Sequence, residues 1–191
     1  MESDAPLRVL GLVGSLRAGS LNRGLMDAAR EMAPELGMEI TVFGRLREIP
    51  PYDGDVEAQG DPDAVGELKA AVRASHALLI ASPEYNYSVP GVLKNAIDWV
   101  SRPPPETPLR GKPAAILGAS TGMSGTMRMQ HHLRQVLTAT QTLVMVAPEV
   151  VIPRAAERFV DGRLADESTR DLLRKQLSAL RAWTLAVGRP A

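Results

Sequence analysis

Short apolar runs alternate along the chain with apolar residues at helical spacing. Leu7–Val13 (LRVLGLV) is a short apolar run, interrupted by Arg8, and predicts a buried strand. Leu21, Leu25, Ala29, Met32 and Leu36 then recur every three to four residues and predict a helix, with Gly37 at its end. Ile40–Phe43 predicts a second strand. Asp61-Pro62 opens a helix whose stripe is Val65, Leu68 and Val72. Ala77–Ala81 predicts the third strand, and Pro90 starts a helix bearing Val92, Leu93, Ala96, Ile97 and Val100. After the proline-rich connector Arg102–Pro108, Ala114–Gly118 predicts a fourth strand. A helix follows from about Gly125 to Leu137, then a fifth strand over Thr142–Val146. Asp161-Gly162, between apolar flanks, signals a small hairpin. A last helix runs from about Ser168 to Ala186.

Such alternation implies an α/β fold, with a doubly wound five-stranded parallel sheet and helices on both faces. The connector lies between a helix and a strand of one alternation, so residues 1–191 read as a single domain. For strand order 2-1-3-4-5, the loops after strands one, three and four meet at the sheet's carboxyl edge, where such sheets bind ligands.

Composition narrows the chemistry. Of 191 residues, 22 are Lys or Arg and 22 are Asp or Glu, so the formal charge is zero and no overall field attracts nucleic acid or an anionic membrane. There is no Cys, which excludes disulfides, thiolate nucleophiles and Cys-ligated metals. Of the three His, His131 and His132 are adjacent and diverge by about 100° on a helix, a poor metal pair. An enzyme with this inventory leaves the reactive chemistry to a cofactor. No membrane span is legible, and Met1–Pro6 lacks the basic start of an export signal, so the expected location is cytoplasmic.

The three loops carry the candidate chemistry. Gly14–Asn22 (GSLRAGSLN) combines Ser15, Arg17, Ser20 and Asn22 at a helix N-terminus, a setting that favours an anion. Ser20 serves equally as a helix cap. Ser20-Leu21 stands where a triphosphate-binding loop needs Lys-Ser/Thr, so a monophosphate fits better. Ser82–Gly91 (SPEYNYSVPG) concentrates two Tyr and two Pro in a chain with 4% aromatics, and reads either as an edge for a flat heterocycle or as a rigid turn. Gly118–Gly125 (GASTGMSG) contains Gly118-x-Ser120-x-Gly122, the pattern of a nucleophile elbow. The elbow's partners are missing. No Asp or Glu lies between Ser120 and His132, and no His follows His132.

With these motifs the chain resembles the NAD(P)H-dependent FMN reductase family, the flavodoxin-like group that includes quinone, chromate and azo reductases. The resemblance rests on Gly14–Asn22, on Pro83–Trp99 (PEYNYSVPGVLKNAIDW) and on Gly118–Gly122, and spans about residues 7–150. It implies a flavodoxin-like fold that binds FMN and uses NADPH or NADH to reduce small oxidants: quinones, chromate, azo compounds or flavin. It places Ser15, Arg17, Ser20, Leu21 and Asn22 around the FMN phosphate, and Pro83, Glu84, Tyr85, Asn86 and Tyr87 along the isoalloxazine. Ser120, Thr121 and Gly122 would lie at the pyrimidine side. For Glu84 the role of the side chain stays open: its backbone can do the binding with the carboxylate turned to solvent. Hydride transfer through flavin needs no side-chain acid or base, so no catalytic residue is assigned. The resemblance further implies a homodimer or homotetramer, with Trp99 and Val100 at a subunit interface and Arg128, His131 and Glu149 in a polar subunit contact. Each of these also reads as ordinary core or surface. The rival function is a flavin-binding electron carrier without NAD(P)H turnover. Zero net charge counts against it, since carriers dock through charged patches.

Overall fold

The structure is a computed structural model and describes residues 5–188. Most of the Met1–Pro6 segment lies outside the described residues. In chain order the elements are β1 (Leu7–Val13), α1 (Leu21–Met32), β2 (Met38–Val42), the single turn α2 (Gly54–Glu57), α3 (Asp63–Ala74) and β3 (Ala77–Ala81). There follow α4 (Gly91–Val100), β4 (Pro113–Ala119), α5 (Met127–Ala139), β5 (Leu143–Val144), β6 (Val150–Ile152), the hairpin β7 (Phe159–Val160) and β8 (Arg163–Leu164), and α6 (Glu167–Val187). The main sheet is parallel, in the order β2-β1-β3-β4-β5, with β6 also on β4. This is the expected flavodoxin-like order, and its direction reverses between β1 and β3.

Strand period two sorts the core. Leu79, Ala81, Ala115 and Leu117 face the layer of α1 and α6, packing with Leu25, Met26, Leu173 and Leu177. Leu78, Ile80, Ala114 and Ile116 face the layer of α3, α4 and α5, packing with Leu68, Leu93, Trp99 and Leu133. Both faces of the central strands are dry, which is why they read as unbroken apolar runs.

Local chemistry moves some boundaries. The first helix stops at Met32 rather than Leu36, because Pro34 offers no N–H and disfavours helix before it. Pro34–Leu36 forms a 3₁₀ turn closed by Gly37 at φ 65°. The hairpin forms as expected, with Asp161 and Gly162 at φ 49° and 78°.

The fifth strand differs most. Leu143–Val144 pairs with Pro113 and Ala114, the chain leaves the sheet, and Val150–Ile152 rejoins it opposite Leu117–Ala119. In the gap the Ile116 carbonyl accepts from Gln176 Nε2 of α6 at 2.9 Å, and the same amide reaches Pro148 O at 3.1 Å. From the other face, Gln130 Nε2 of α5 donates to Val150 O at 2.9 Å. Two glutamines thus satisfy backbone groups that the broken strand leaves open.

Trp99 is fully buried, its Nε1–H donating to Pro50 O at 2.9 Å and its ring edge-on to Tyr52. Together with buried Val100, it belongs to the intrachain core and not to a subunit interface.

Candidate functional site

The loops after β1, β3 and β4 converge at the switch point around a depression of about 290 Å³. Its walls are Ser15, Arg17, Ser20, Leu21, Asn22, Pro83, Glu84, Tyr85, Ala119, Ser120 and Thr121. Of the expected site residues, Asn86, Tyr87 and Gly122 stand outside these walls, while Ala119 joins them. A larger hollow of about 680 Å³ lies between α1, the hairpin and α6. Its charges neutralise one another, as in Arg30–Asp27 (3.5 Å) and Arg163–Glu31 (3.3 Å), so the smaller depression holds the distinctive chemistry.

The loops approach backbone to backbone. A Cβ on Gly118 would lie 2.5 Å from Ser82 O and would overlap the Thr126 hydroxyl. One on Gly14 would lie 2.5 Å from Ser82 Oγ. Only glycine lets the three strand ends close up in this way.

In the first loop, Ser20 has extended backbone, and its Oγ accepts from Arg23 N at 3.4 Å. It therefore caps α1 and lines the depression at once. Arg17 donates to Gly19 O at 3.1 Å and is free of acidic partners in the described structure. The first turn of α1 holds no acidic residue, and its leading amides lack helical acceptors, so this end of the depression is electropositive. Asn22 is buried: its Nδ2 donates to Ala119 O at 3.0 Å, and its Oδ1 accepts from Ala119 N at 2.9 Å. Arg47, from the loop after β2, donates to Leu16 O at 3.0 Å and adds a cation that the sequence pattern did not single out.

The second loop is a tight turn. Tyr85 N donates to Ser88 O at 3.2 Å, and Ser88 N to Tyr85 O at 3.0 Å. Asn86 and Tyr87, at φ 48° and 64°, supply its left-handed corner. Asn tolerates that region, whereas Tyr pays about 1–2 kcal/mol there. The Arg128 guanidinium lies 3.7 Å over the Tyr87 ring.

Glu84, whose side chain the sequence leaves open, turns inward. Its side chain is 5% exposed rather than solvent-facing. It accepts from Arg128 Nε at 2.6 Å and from Met129 N at 3.1 Å, at the start of α5. The expected polar trio divides within the chain: Arg128 pairs with Glu84, and Glu149 pairs with Arg134 at 3.4 Å.

The third loop is held by the far side of the sheet. Ser120 N donates to Ile152 O (3.0 Å), Ala155 N to Ser120 O (2.9 Å) and Arg154 N to Gly122 O (3.1 Å). Ser120 Oγ accepts from Gly122 N at 3.1 Å, closing its own turn. His132 is engaged elsewhere, its Nδ1 3.0 Å from Ser88 Oγ, so the elbow pattern has no base beside it. Among the described residues no group of three or more His, Cys, Asp or Glu could hold a metal.

A parallel sheet with a phosphate-type loop, a rigid aromatic turn and a Gly/Ser/Thr loop at its switch point defines a flavodoxin-like mononucleotide-binding protein. Residues 7–157 match the model of the NADPH-dependent FMN reductase family, and the chain belongs to that family. It is an oxidoreductase of the class that works with NAD(P)H and FMN. It is 50% identical over 178 residues to an NAD(P)H-dependent FMN reductase of Pseudomonas aeruginosa, covering 93% of this chain and 95% of that one. It is 42% identical over 177 residues to a quinone reductase of Escherichia coli, covering 91% and 93%. Among solved structures, a flavoenzyme NAD(P)H:(acceptor) oxidoreductase of Paracoccus denitrificans superposes with a TM-score of 0.88 at 36% identity, covering 96% of this chain and all of that one.

Proposed function

We propose that the chain transfers hydride from NAD(P)H to quinones and other small oxidants, with FMN held across the three loops. The observation that carries this is the depression itself. One end is an electropositive helix start with Ser15, Arg17 and Ser20, and the remaining walls are rigid backbone from Pro83–Tyr85 and Ala119–Thr121. That donor set suits a monophosphate at one end and a planar heterocycle beyond it.

FMN, when bound, supplies the hydride chemistry. The chain's residues do the rest. Arg17, Ser15, Ser20 and the amides of Leu21 and Asn22 would hold the phosphate. The backbone from Pro83 to Tyr85 would border the ring, with Asn86 and Tyr87 shaping the turn beyond it. In the third loop the Ser120 and Gly122 amides are taken by Ile152 O and Ser120 Oγ, so the Thr121 amide would serve the pyrimidine edge, where negative charge gathers on reduction. No acid or base is required, in keeping with a Glu84 carboxylate turned away to α5 and a His132 bonded to Ser88.

Tyr85, Tyr87, Met123 and Met127 are exposed on or beside these loops and form a flat, polarisable rim. Such a rim supports a broad choice of acceptor, including azo compounds, free flavin and chromate as well as quinones. It equally supports burial against a second copy, in a homodimer or homotetramer. The expected location remains the cytoplasm.

The test is an absorption spectrum of the purified protein before and after anaerobic NADPH. A flavin spectrum that bleaches on mixing, and recovers when a quinone is added, is the expected result. Protein that stays colourless with added FMN overturns the reading. Flavin that stays oxidised in both NADPH and NADH identifies an electron carrier instead.

A further inference from the structure

The proposed chemistry relies on the backbone of the second loop, which carries a tyrosine in a conformation that tyrosine does not favour. Something must hold that loop in place. Three contacts converge on it from one residue of α5 and its neighbour, and a fourth ties the same arginine to the third loop. The Arg128 guanidinium pairs with the Glu84 carboxylate through Nε (2.6 Å) and Nη2. Arg128 Nη2 donates to Ser124 Oγ of the third loop at 2.9 Å. The same guanidinium lies 3.7 Å over the Tyr87 ring. The second Glu84 oxygen accepts from Met129 N at 3.1 Å, in the first turn of a helix whose own cap residue, Thr126, makes no side-chain cap bond.

We propose that Arg128 and Glu84 form a clamp that positions the second loop, locking the Tyr85–Ser88 turn against α5 and fixing the backbone that lines the depression. Neither residue is assigned contact with the reacting atoms; both are positioning residues. The inference rests on the proposed function for its consequence, though not for the clamp itself.

The energetics favour a true constraint over an idle surface pair. Exposed ion pairs often contribute nothing measurable. Here the carboxylate is 5% exposed beneath an arginine that is 43% exposed, so losing Arg128 removes the charge partner of a largely desolvated carboxylate and favours movement of the loop toward water. The guanidinium also loses its stacking partner if the turn relaxes, so the two contacts reinforce each other. A second tie, Ser88 Oγ to His132 Nδ1 at 3.0 Å, holds the far side of the same turn.

Amide exchange, measured by NMR on the protein as purified, tests the clamp with Arg128→Met, Arg128→Lys, Glu84→Gln and the Glu84→Gln/Arg128→Met double variant. In Arg128→Met, exchange at Tyr85 and Ser88 is expected to quicken by about tenfold or more, with the β3 and β4 amides unchanged. Glu84→Gln should do the same to a smaller degree, and the double variant should be no faster than Arg128→Met. Arg128→Lys keeps a charge for Glu84 but not the plate over Tyr87. It should keep Met129 as protected as in the wild type while Tyr85 and Ser88 stay fast.

Titration after flavin removal gives a second readout. Arg128→Met should weaken FMN and riboflavin by the same factor, because the ring edge is disturbed and the phosphate loop is not. Unchanged exchange at Tyr85 and Ser88, additive effects in the double variant, or a loss confined to FMN would each overturn the clamp. If the wild type binds no flavin, the proposed function fails, and the exchange measurement alone decides the clamp.

Discussion

Asn22 makes both of its carboxamide hydrogen bonds to the backbone of one residue 97 positions away, Ala119. The first and third loops are thereby joined as an extra rung of sheet would join them. Asn22→Ala should leave the Ala119 N–H and C=O without these partners and destabilise the protein by about 1–3 kcal/mol. Asn22→Asp keeps the acceptor, loses the donor and sets a carboxylate against a carbonyl, so it should be at least as damaging. Urea unfolding checks the stability, and flavin titration should show that affinity falls with it.

Among the described residues the Arg17 side chain bonds the Gly19 carbonyl and meets no acidic partner, and it lies at the electropositive end of the depression. Arg17→Ala should therefore leave stability nearly unchanged and weaken FMN by about tenfold to a hundredfold. Riboflavin, which has no phosphate, should bind both proteins alike. Parallel titrations of the two flavins at two salt concentrations decide the point, and the FMN difference should shrink at high salt.

Gly118 is required by contact, not by conformation. The Cβ of Gly118→Ala would meet Ser82 O at 2.5 Å and the Thr126 side chain, forcing β3 and the start of α5 apart. A loss of about 1–3 kcal/mol is expected, with weaker flavin binding. Thermal unfolding with and without FMN measures both.

Ser120→Ala separates a binding turn from a nucleophile. Its hydroxyl accepts from Gly122 N, and no histidine is hydrogen-bonded to it. The wild type should show no esterase activity above background with an activated phenyl ester, and the variant should match it. Esterase activity abolished by Ser120→Ala would restore the elbow reading.

Asp166 caps α6, and its carboxylate is held well below the usual range by hydrogen bonds from Ser168 and Thr169, aided by Arg158. A depressed acid favours the fold wherever the unfolded chain binds the proton first. Its contribution is thus complete above about pH 5 and fades as pH falls below about 4. Asp166→Asn keeps a capping oxygen but cannot ionise. The stability gap between wild type and Asp166→Asn should be constant near neutrality and close on acidification, as followed by urea unfolding across pH.

Much of this molecule is legible in its residue pattern because the relevant signals are local. The apolar runs of β1, β3 and β4, the Asp161-Gly162 turn and the helical stripes need only neighbours in sequence to be read. The break in the fifth strand was not legible. Val150–Ile152 is too short to carry a period, and the gap before it is bridged by Gln176 and Gln130 reaching in from two helices. Trp99 was ambiguous for a related reason. An aromatic residue suits an interface or a core, and only the Pro50 carbonyl and the Tyr52 ring settle which it joins.

The sequence by itself determined the alternation of strand and helix, the three ligand loops and, by lacking cysteine and suitable histidines, the need for borrowed reactivity. Those properties reside in residue types and their spacing along one segment at a time. Tertiary structure decided where the charges go. Glu84 lies on a loop that reads as open to solvent, yet its carboxylate is drawn under Arg128 and onto the first turn of α5. An ion pair and a borrowed helix cap between residues 44 and 45 positions apart leave no periodic trace, because their energy depends on distance in space and on exclusion of water.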